Sequence, residues 1–261
     1  MSRLTITRPP GTAGVAWLAQ GWRLFTGGVI AWMGMAAMSL LAVMLIGSVP
    51  MVGSAIVELL SPFLVAGFMV ASRAARAGQP FSFYMFSNGF LDAPQQLAIV
   101  GAVYLGASLI AQWVMQAMGG EGFKLLFELA QTRPDQVDPA QAELILHEAL
   151  PAMAVGLLIL TPALLATWFA PALVLFDGFP PVRAMYWSLW ASVINWRPML
   201  IYGLWLTLAG VVAMLIPFGL GLLVFVPVAM ASSYIAYAEL FVKTQPPAEA
   251  EEEQAPAEGD A

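Results

Sequence analysis

The chain contains no cysteine and a single histidine, His147, and charged residues make up only 10% of its 261 positions. Without cysteine there is no disulfide framework, thiolate metal site or cysteine nucleophile, and one histidine removes most zinc chemistry. Charge this scarce, beside 60% hydrophobic residues, excludes an ordinary soluble core, because globular chains carry about 25% charged residues. The net charge of -6 is also concentrated. Of the 16 acids, six (Glu249, Glu251, Glu252, Glu253, Glu258 and Asp260) lie in residues 245–261, which hold no base, so the other ten acids balance the ten bases. The opening MSRLTITRPPGTAG is polar and broken by proline, with no basic region leading into a short apolar core, and no secretory peptide is expected.

What the chain does have is long hydrophobic runs. A membrane span needs about 20 largely apolar residues, and six runs qualify: Gly28 to Val49, Ser54 to Ser72, Leu97 to Met118, Leu150 to Phe176, Met199 to Ile216 and Leu220 to Tyr237. They are continuous and lack a period of two, which points to helices and not to barrel strands. The expected fold is all-α, a polytopic bundle of six transmembrane helices. Arg3, Arg8 and Arg23 precede span 1, Arg73 and Arg76 follow span 2, Arg183 and Arg197 separate spans 4 and 5, and Lys243 follows span 6. Only Lys124 and Arg133 fall on the other side. This asymmetry places both termini in the cytoplasm of an inner membrane. Pro50 to Gly53 and Pro217 to Gly219 are tight outer turns. The one long outer loop, 119–150, begins where Gly119-Gly120 stops span 3. Its Asp138-Pro139-Ala140-Gln141 reads as the start of a helix that runs into span 4 and bends at Pro151.

The spans fall into three hairpins. An aromatic segment precedes each one and is read as an interfacial cytoplasmic helix: Val15, Leu18, Trp22 and Phe25 in the first; Phe81, Phe83, Tyr84, Phe86 and Phe90 in the second; Val182, Met185, Tyr186, Leu189, Val193 and Trp196 in the third. The second spans align as SPFLVAGFMVAS, TPALLATWFAPA and VPVAMASSYIAY. The alignment matches Pro62, Pro162 and Pro227, then Ala66, Ala166 and Ala231, then Gly67, Thr167 and Ser232. Units 11–76, 80–176 and 179–243 become equal in length once the outer insertion is removed, as a parallel repeat about an axis along the membrane normal would require. Flanking them are a cytoplasmic N-terminal segment, 1–10, and a low-complexity acidic tail, 244–261, expected to be disordered.

Chemistry-bearing residues are few. No H-E-x-x-H, P-loop or G-x-S-x-G motif is present, and no catalytic, metal or cofactor residue is assigned. Asp177 in FDGFPP reads as a turn former and Asp92 as a helix cap. Glu58 stands apart as the one carboxylate inside an apolar span away from its cytoplasmic end, and an intramembrane acid is costly unless hydrated, paired or neutralised. Placed about 6 Å inside the outer boundary, it reads as a hydrated structural carboxylate, as a group handling solute or protons, or as a partner of Lys124 or Arg133. The nine repeat positions from Pro62 to Ser232 are candidates for helix packing or path lining, with Phe68 and Ile235 expected to tolerate bulk better.

GVAWLAQGWRLF before span 1, ATWFAPALVLFDG at the end of span 4 and SLWASVINWRP before span 5 together resemble an uncharacterised family of six-span inner-membrane proteins from proteobacteria, over residues 11–243. The resemblance implies a bacterial inner-membrane address and brings no activity or functional residue. The expected role is non-enzymatic: an accessory or scaffold protein packing against membrane lipids or other membrane proteins. The alternative is a transporter or channel for a small or lipophilic solute, its path lined by spans 2, 4 and 6, with Thr161, Thr167, Ser232 and Ser233 supplying hydroxyls. No nucleic-acid partner is expected, and the oligomeric state is open.

Overall fold

Continuous apolar sequence without water to compete for backbone groups has one local solution, the helix, and all six runs adopt it. The computed structural model describes residues 3–79, 90–129 and 143–244. Helix α1 (Ala13–Thr26) precedes span 1, which is α2 (Val29–Gly47). Span 2 is α3 (Gly53–Arg76) and span 3 is α4 (Pro94–Leu129), broken at Gly120. Span 4 is entered through a π-helical turn, Ile145–Ala149, and continues as α5 (Leu150–Trp168) and α6 (Ala170–Asp177). Helix α7 (Pro181–Ile194) leads into span 5, α8 (Trp196–Leu215), and span 6 is α9 (Leu222–Leu240). Each of the six has the length and hydropathy to cross a membrane.

The breaks have local causes. Gly120 turns the chain out of span 3 with φ 46° and ψ -133°. The π turn lies directly ahead of Pro151, whose ring cannot continue the regular hydrogen-bond ladder. Span 4 was expected as one helix, but it breaks at Phe169. Pro171 supplies no amide hydrogen two residues on, and Ser188 of α7 bridges the break: its hydroxyl donates to the Leu165 carbonyl at 2.6 Å and accepts from the Phe169 amide at 3.0 Å. The two tight turns resemble each other. Each puts a large apolar residue in the left-handed region just after a proline, Met51 (φ 67°) and Phe218 (φ 59°), with both side chains almost fully exposed, at 99% and 98%.

Packing follows a cyclic pattern. Helix α1 lies along α9, and α7 lies along α5 and α6; Phe90, at the edge of the second aromatic segment, stacks on Phe63 of α3 at 6.2 Å. Each preceding segment thus touches the second span of the hairpin before it. Helices α1 and α7 are both 14 residues long, and both turn small residues inward beside a few large ones: Ala13, Gly14 and Gly21 with Trp17 and Phe25 in α1; Ala184, Ser188, Ala191 and Ser192 with Met185 in α7. Other bulky residues, among them Val15, Trp22, Val182, Tyr186 and Val193, point outward. At Gly21 a methyl group would stand 2.7 Å from the Ser232 backbone nitrogen, so only glycine lets α1 approach α9 this closely. The remaining aromatic positions, Phe81, Phe83, Tyr84 and Phe86, lie outside the described residues, as do Arg133, Asp138 to Gln141 and the tail from residue 245.

The N-terminal segment departs from its expected separateness. Residues Arg3–Ile6 (β1) pair antiparallel with Phe241–Thr244 (β2), in the register Leu4 with Lys243 and Ile6 with Phe241. The Thr7 amide donates to the Leu240 carbonyl at 2.9 Å, the Thr7 hydroxyl donates to the Glu239 carbonyl, and Trp17 Nε1 donates to Glu239 Oε2 at 2.8 Å. Both ends of the membrane domain are therefore tied together at one end of the bundle, the ribbon end, opposite the two tight turns. Beneath the ribbon, Asp177 is not a simple turn former. Its side chain is only 3% exposed, pairs with Lys243 at 3.0 Å and accepts a 2.5 Å hydrogen bond from the Tyr237 hydroxyl. Gly178 (φ 66°) makes the turn that follows, and Lys243 also donates to the Phe176 carbonyl at 3.0 Å.

Candidate intramembrane site

Pro62 sits inside α3, and a proline there leaves the carbonyl four residues earlier without its amide donor. That carbonyl belongs to Glu58, and the Ser61 hydroxyl takes over, donating to it at 2.9 Å. The loosened turn presents the Glu58 side chain to span 3, where the Ser108 hydroxyl donates to Oε1 at 3.0 Å and Gln112 Nε2 donates in turn to Ser108 Oγ at 3.2 Å. Tyr104, Ser108 and Gln112 recur every four residues and form one polar stripe on α4. Close helix contact positions the stripe: a methyl group on Gly101 would stand 2.1 Å from the Leu59 carbonyl oxygen.

These groups border a cleft of about 280 Å³ lined by Val57, Glu58, Ser61, Pro62, Val65 and Met69 of span 2, Tyr104 of span 3, Leu164, Thr167, Trp168 and Pro171 of span 4, and Met230 and Ser233 of span 6. Apart from a few polar atoms the walls are hydrocarbon and aromatic. Two of those atoms, Glu58 Oε2 and Trp168 Nε1, are buried and make no hydrogen bond to any described residue. A buried acceptor and a buried donor left unpaired each cost about 1–3 kcal/mol, and both belong to residues that line the same cleft.

Measured along span 2 the carboxyl group lies near the turn end, but its partner Ser108 is 14 residues after Pro94 and 11 before Gly119, about 21 Å and 17 Å of helix. The side chain thus reaches the middle of span 3. Of the two expected cations, Lys124 pairs with Glu121 at 2.6 Å, and Arg133 lies outside the described residues. The expected path through spans 2, 4 and 6 also gains a wall, since span 3 contributes Tyr104.

The repeat positions divide. Pro62 and Thr167 line the cleft. Ala66, Gly67, Pro227, Ala231 and Ser232 are buried in the packing between helices, Ala166 is half-buried, and Pro162 is exposed. Ser232 faces Tyr202 and not the cleft, at 2.8 Å from its hydroxyl, and Ser233 bonds the same hydroxyl at 3.0 Å. Thr161 is exposed and bonds its own helix at Leu157. Phe68 and Ile235, chosen as tolerant outward positions, are buried at 2% and 4% exposure.

Over 205 residues, 75% of this chain and 73% of the other, the sequence is 30% identical to a probable inner membrane protein of Burkholderia thailandensis. The chain belongs to that inner-membrane family. No protein-family model and no solved structure matches it. A six-span address in the inner membrane makes Glu58 a carboxylate within a membrane span, where charged groups are rare.

Proposed function

We propose that this inner-membrane protein is non-enzymatic and binds a small lipophilic solute in the cleft between spans 2, 3, 4 and 6, as part of a transporter or channel. The observation that carries this reading is that two residues lining one apolar cleft, Glu58 and Trp168, each hold a buried polar atom without a partner among the described residues, Oε2 and Nε1. Binding sites combine apolar walls with a few placed polar groups, and a mid-membrane position at the meeting of helices from several repeat units is where transporter sites are built. The cyclic contacts of α1, α7 and Phe90 support three hairpin units, 11–76, 80–176 and 179–243, arranged about an axis along the membrane normal. On that arrangement Glu58 is an asymmetric feature, because the positions four before Pro162 and Pro227 are Leu158 and Leu223. The basic residues of the ribbon end support cytoplasmic termini.

The test is to purify the protein in mild detergent, extract bound small molecules and identify them by mass spectrometry beside a cleft-filling variant, Thr167→Trp. A compound retained by the wild type and depleted in the variant is the expected result. Identical extracts from two folded proteins would overturn the reading. The accessory or scaffold role is the second reading, favoured by the packed ribbon half, where Phe169, Leu173, Tyr234 and Tyr237 belong to one buried cluster.

A further inference from the structure

The chemistry of the cleft narrows what it can hold. Its lining includes one carboxylate and no lysine, arginine or histidine. Glu58, one of the lining residues, already accepts from Ser108 at Oε1, while its Oε2 is buried without a donor among the described residues. Tyr104 and Trp168, from different spans, line the same cleft, and aromatic rings attract cations through their negative faces. An anionic ligand would meet uncompensated repulsion here. A neutral ligand would leave an ionised Glu58 without a counter-charge in an apolar cleft, where an isolated charge costs at least about 2.5 kcal/mol. A hydrophilic inorganic cation would exchange its hydration shell for a single free carboxylate oxygen and mostly hydrocarbon walls. A cation whose charge is already wrapped in hydrocarbon meets none of these objections.

We infer that the cleft binds a free lipophilic monocation of the substituted-ammonium class, with Glu58 as its counter-ion and Tyr104 and Trp168 flanking the charge. The inference rests on the solute-binding reading and specifies its ligand.

The test uses the full chain in lipid nanodiscs and two probes of nearly identical shape, benzyltrimethylammonium and its uncharged carbon counterpart neopentylbenzene, with binding followed by titration calorimetry. The wild type is expected to prefer the cation by about tenfold or more. Glu58→Gln should lose that preference, and Glu58→Asp, which keeps the charge, should largely retain it. Equal binding of the two probes by the wild type, unchanged in Glu58→Gln, would overturn the cation assignment and leave the cleft as a neutral-solute site. Binding of neither probe, with Thr167→Trp indistinguishable from the wild type, would overturn both the assignment and the solute-binding reading. Should Glu58→Gln fail to fold, the preference of the wild type between the two probes still decides.

Discussion

Ser108 and Glu58, 50 positions apart in the chain, meet at 3.0 Å in the middle of span 3. The contact holds one oxygen of the carboxyl group and leaves the other buried without a partner among the described residues, in a residue that lines a cleft. A purely structural carboxylate would have both oxygens satisfied, since an unpaired buried acceptor is a standing cost. Residues retained at a cost to stability are a mark of sites kept for binding.

Glu58→Gln is therefore expected to leave the melting temperature of the purified protein unchanged or to raise it, because the amide keeps an acceptor for Ser108 and removes a charge from hydrocarbon. Thermal denaturation in detergent checks this. A fall of several degrees would make the carboxylate a structural group.

Gly101→Val should separate spans 2 and 3, since the Leu59 carbonyl already occupies the space of the first added carbon. Overpacking of this kind costs about 1–3 kcal/mol. The same change at Gly106, where no neighbour lies within 4 Å, should cost much less. Comparing the two variants in a denaturation series separates close packing from the general effect of replacing glycine in a helix.

Ser188→Ala removes both the donor to Leu165 and the acceptor for Phe169 at the break in span 4. A loss of about 1–3 kcal/mol is expected from the unsatisfied groups. Ser188→Thr keeps the hydroxyl and should recover part of the loss, provided its added methyl is accommodated at this fully buried site. Equal stability of the wild type and Ser188→Ala would show that the break is held by the backbone alone.

Lys243→Met leaves the buried Asp177 carboxylate with the Tyr237 hydroxyl but without its cation. The ribbon should loosen, giving faster amide exchange at Thr5 and Thr7, whose positions in the register are the hydrogen-bonded ones. The lysine is half exposed, so the stability effect is smaller than for a fully buried pair. Asp177→Asn in the Lys243→Met background should restore protection, because it removes the stranded charge. Exchange rates at these amides that do not respond to either change would separate the ion pair from the ribbon.

The six spans were legible because a bilayer leaves a long apolar run a single local solution, and the alternation of basic loops is written in the same letters. Their ends and breaks were less so: the interruption at Phe169 depends on Ser188, which arrives from another helix. The ribbon could not be read from RLTI and FVKT, because four-residue strands carry little signal and the Thr5 to Val242 contact spans 237 positions. Asp177 looked like turn chemistry since Asp-Gly-Phe-Pro-Pro is turn chemistry, and Gly178 does turn the chain. Only the three-dimensional approach of Tyr237 and Lys243 gives the acid its second role. In the candidate site, Glu58 stood out by its charge, whereas Tyr104, Ser108 and Gln112 were passed over. Their four-residue spacing in an otherwise apolar span is the signal that would have found them.

The side on which the ribbon lies is tested by reporter fusions. Fusions after Arg76, Arg183 and Lys243 are expected to report cytoplasm and one near Pro134 the opposite compartment. A cytoplasmic signal at Pro134 would contradict the orientation.

Because the chain has no cysteine, a single introduced thiol reports its own surroundings, and the most direct test of the cleft is the reactivity of Thr167→Cys toward N-ethylmaleimide in intact membranes. Maleimide chemistry needs the thiolate, and so needs water or a polar path to the site. The cleft predicts that Thr167→Cys is labelled and is protected by benzyltrimethylammonium, while Ala66→Cys, fully buried one turn beyond Pro62, stays unlabelled. If Thr167→Cys proves as unreactive as Ala66→Cys in a folded protein, the cleft is closed in the membrane and the solute-binding account is contradicted.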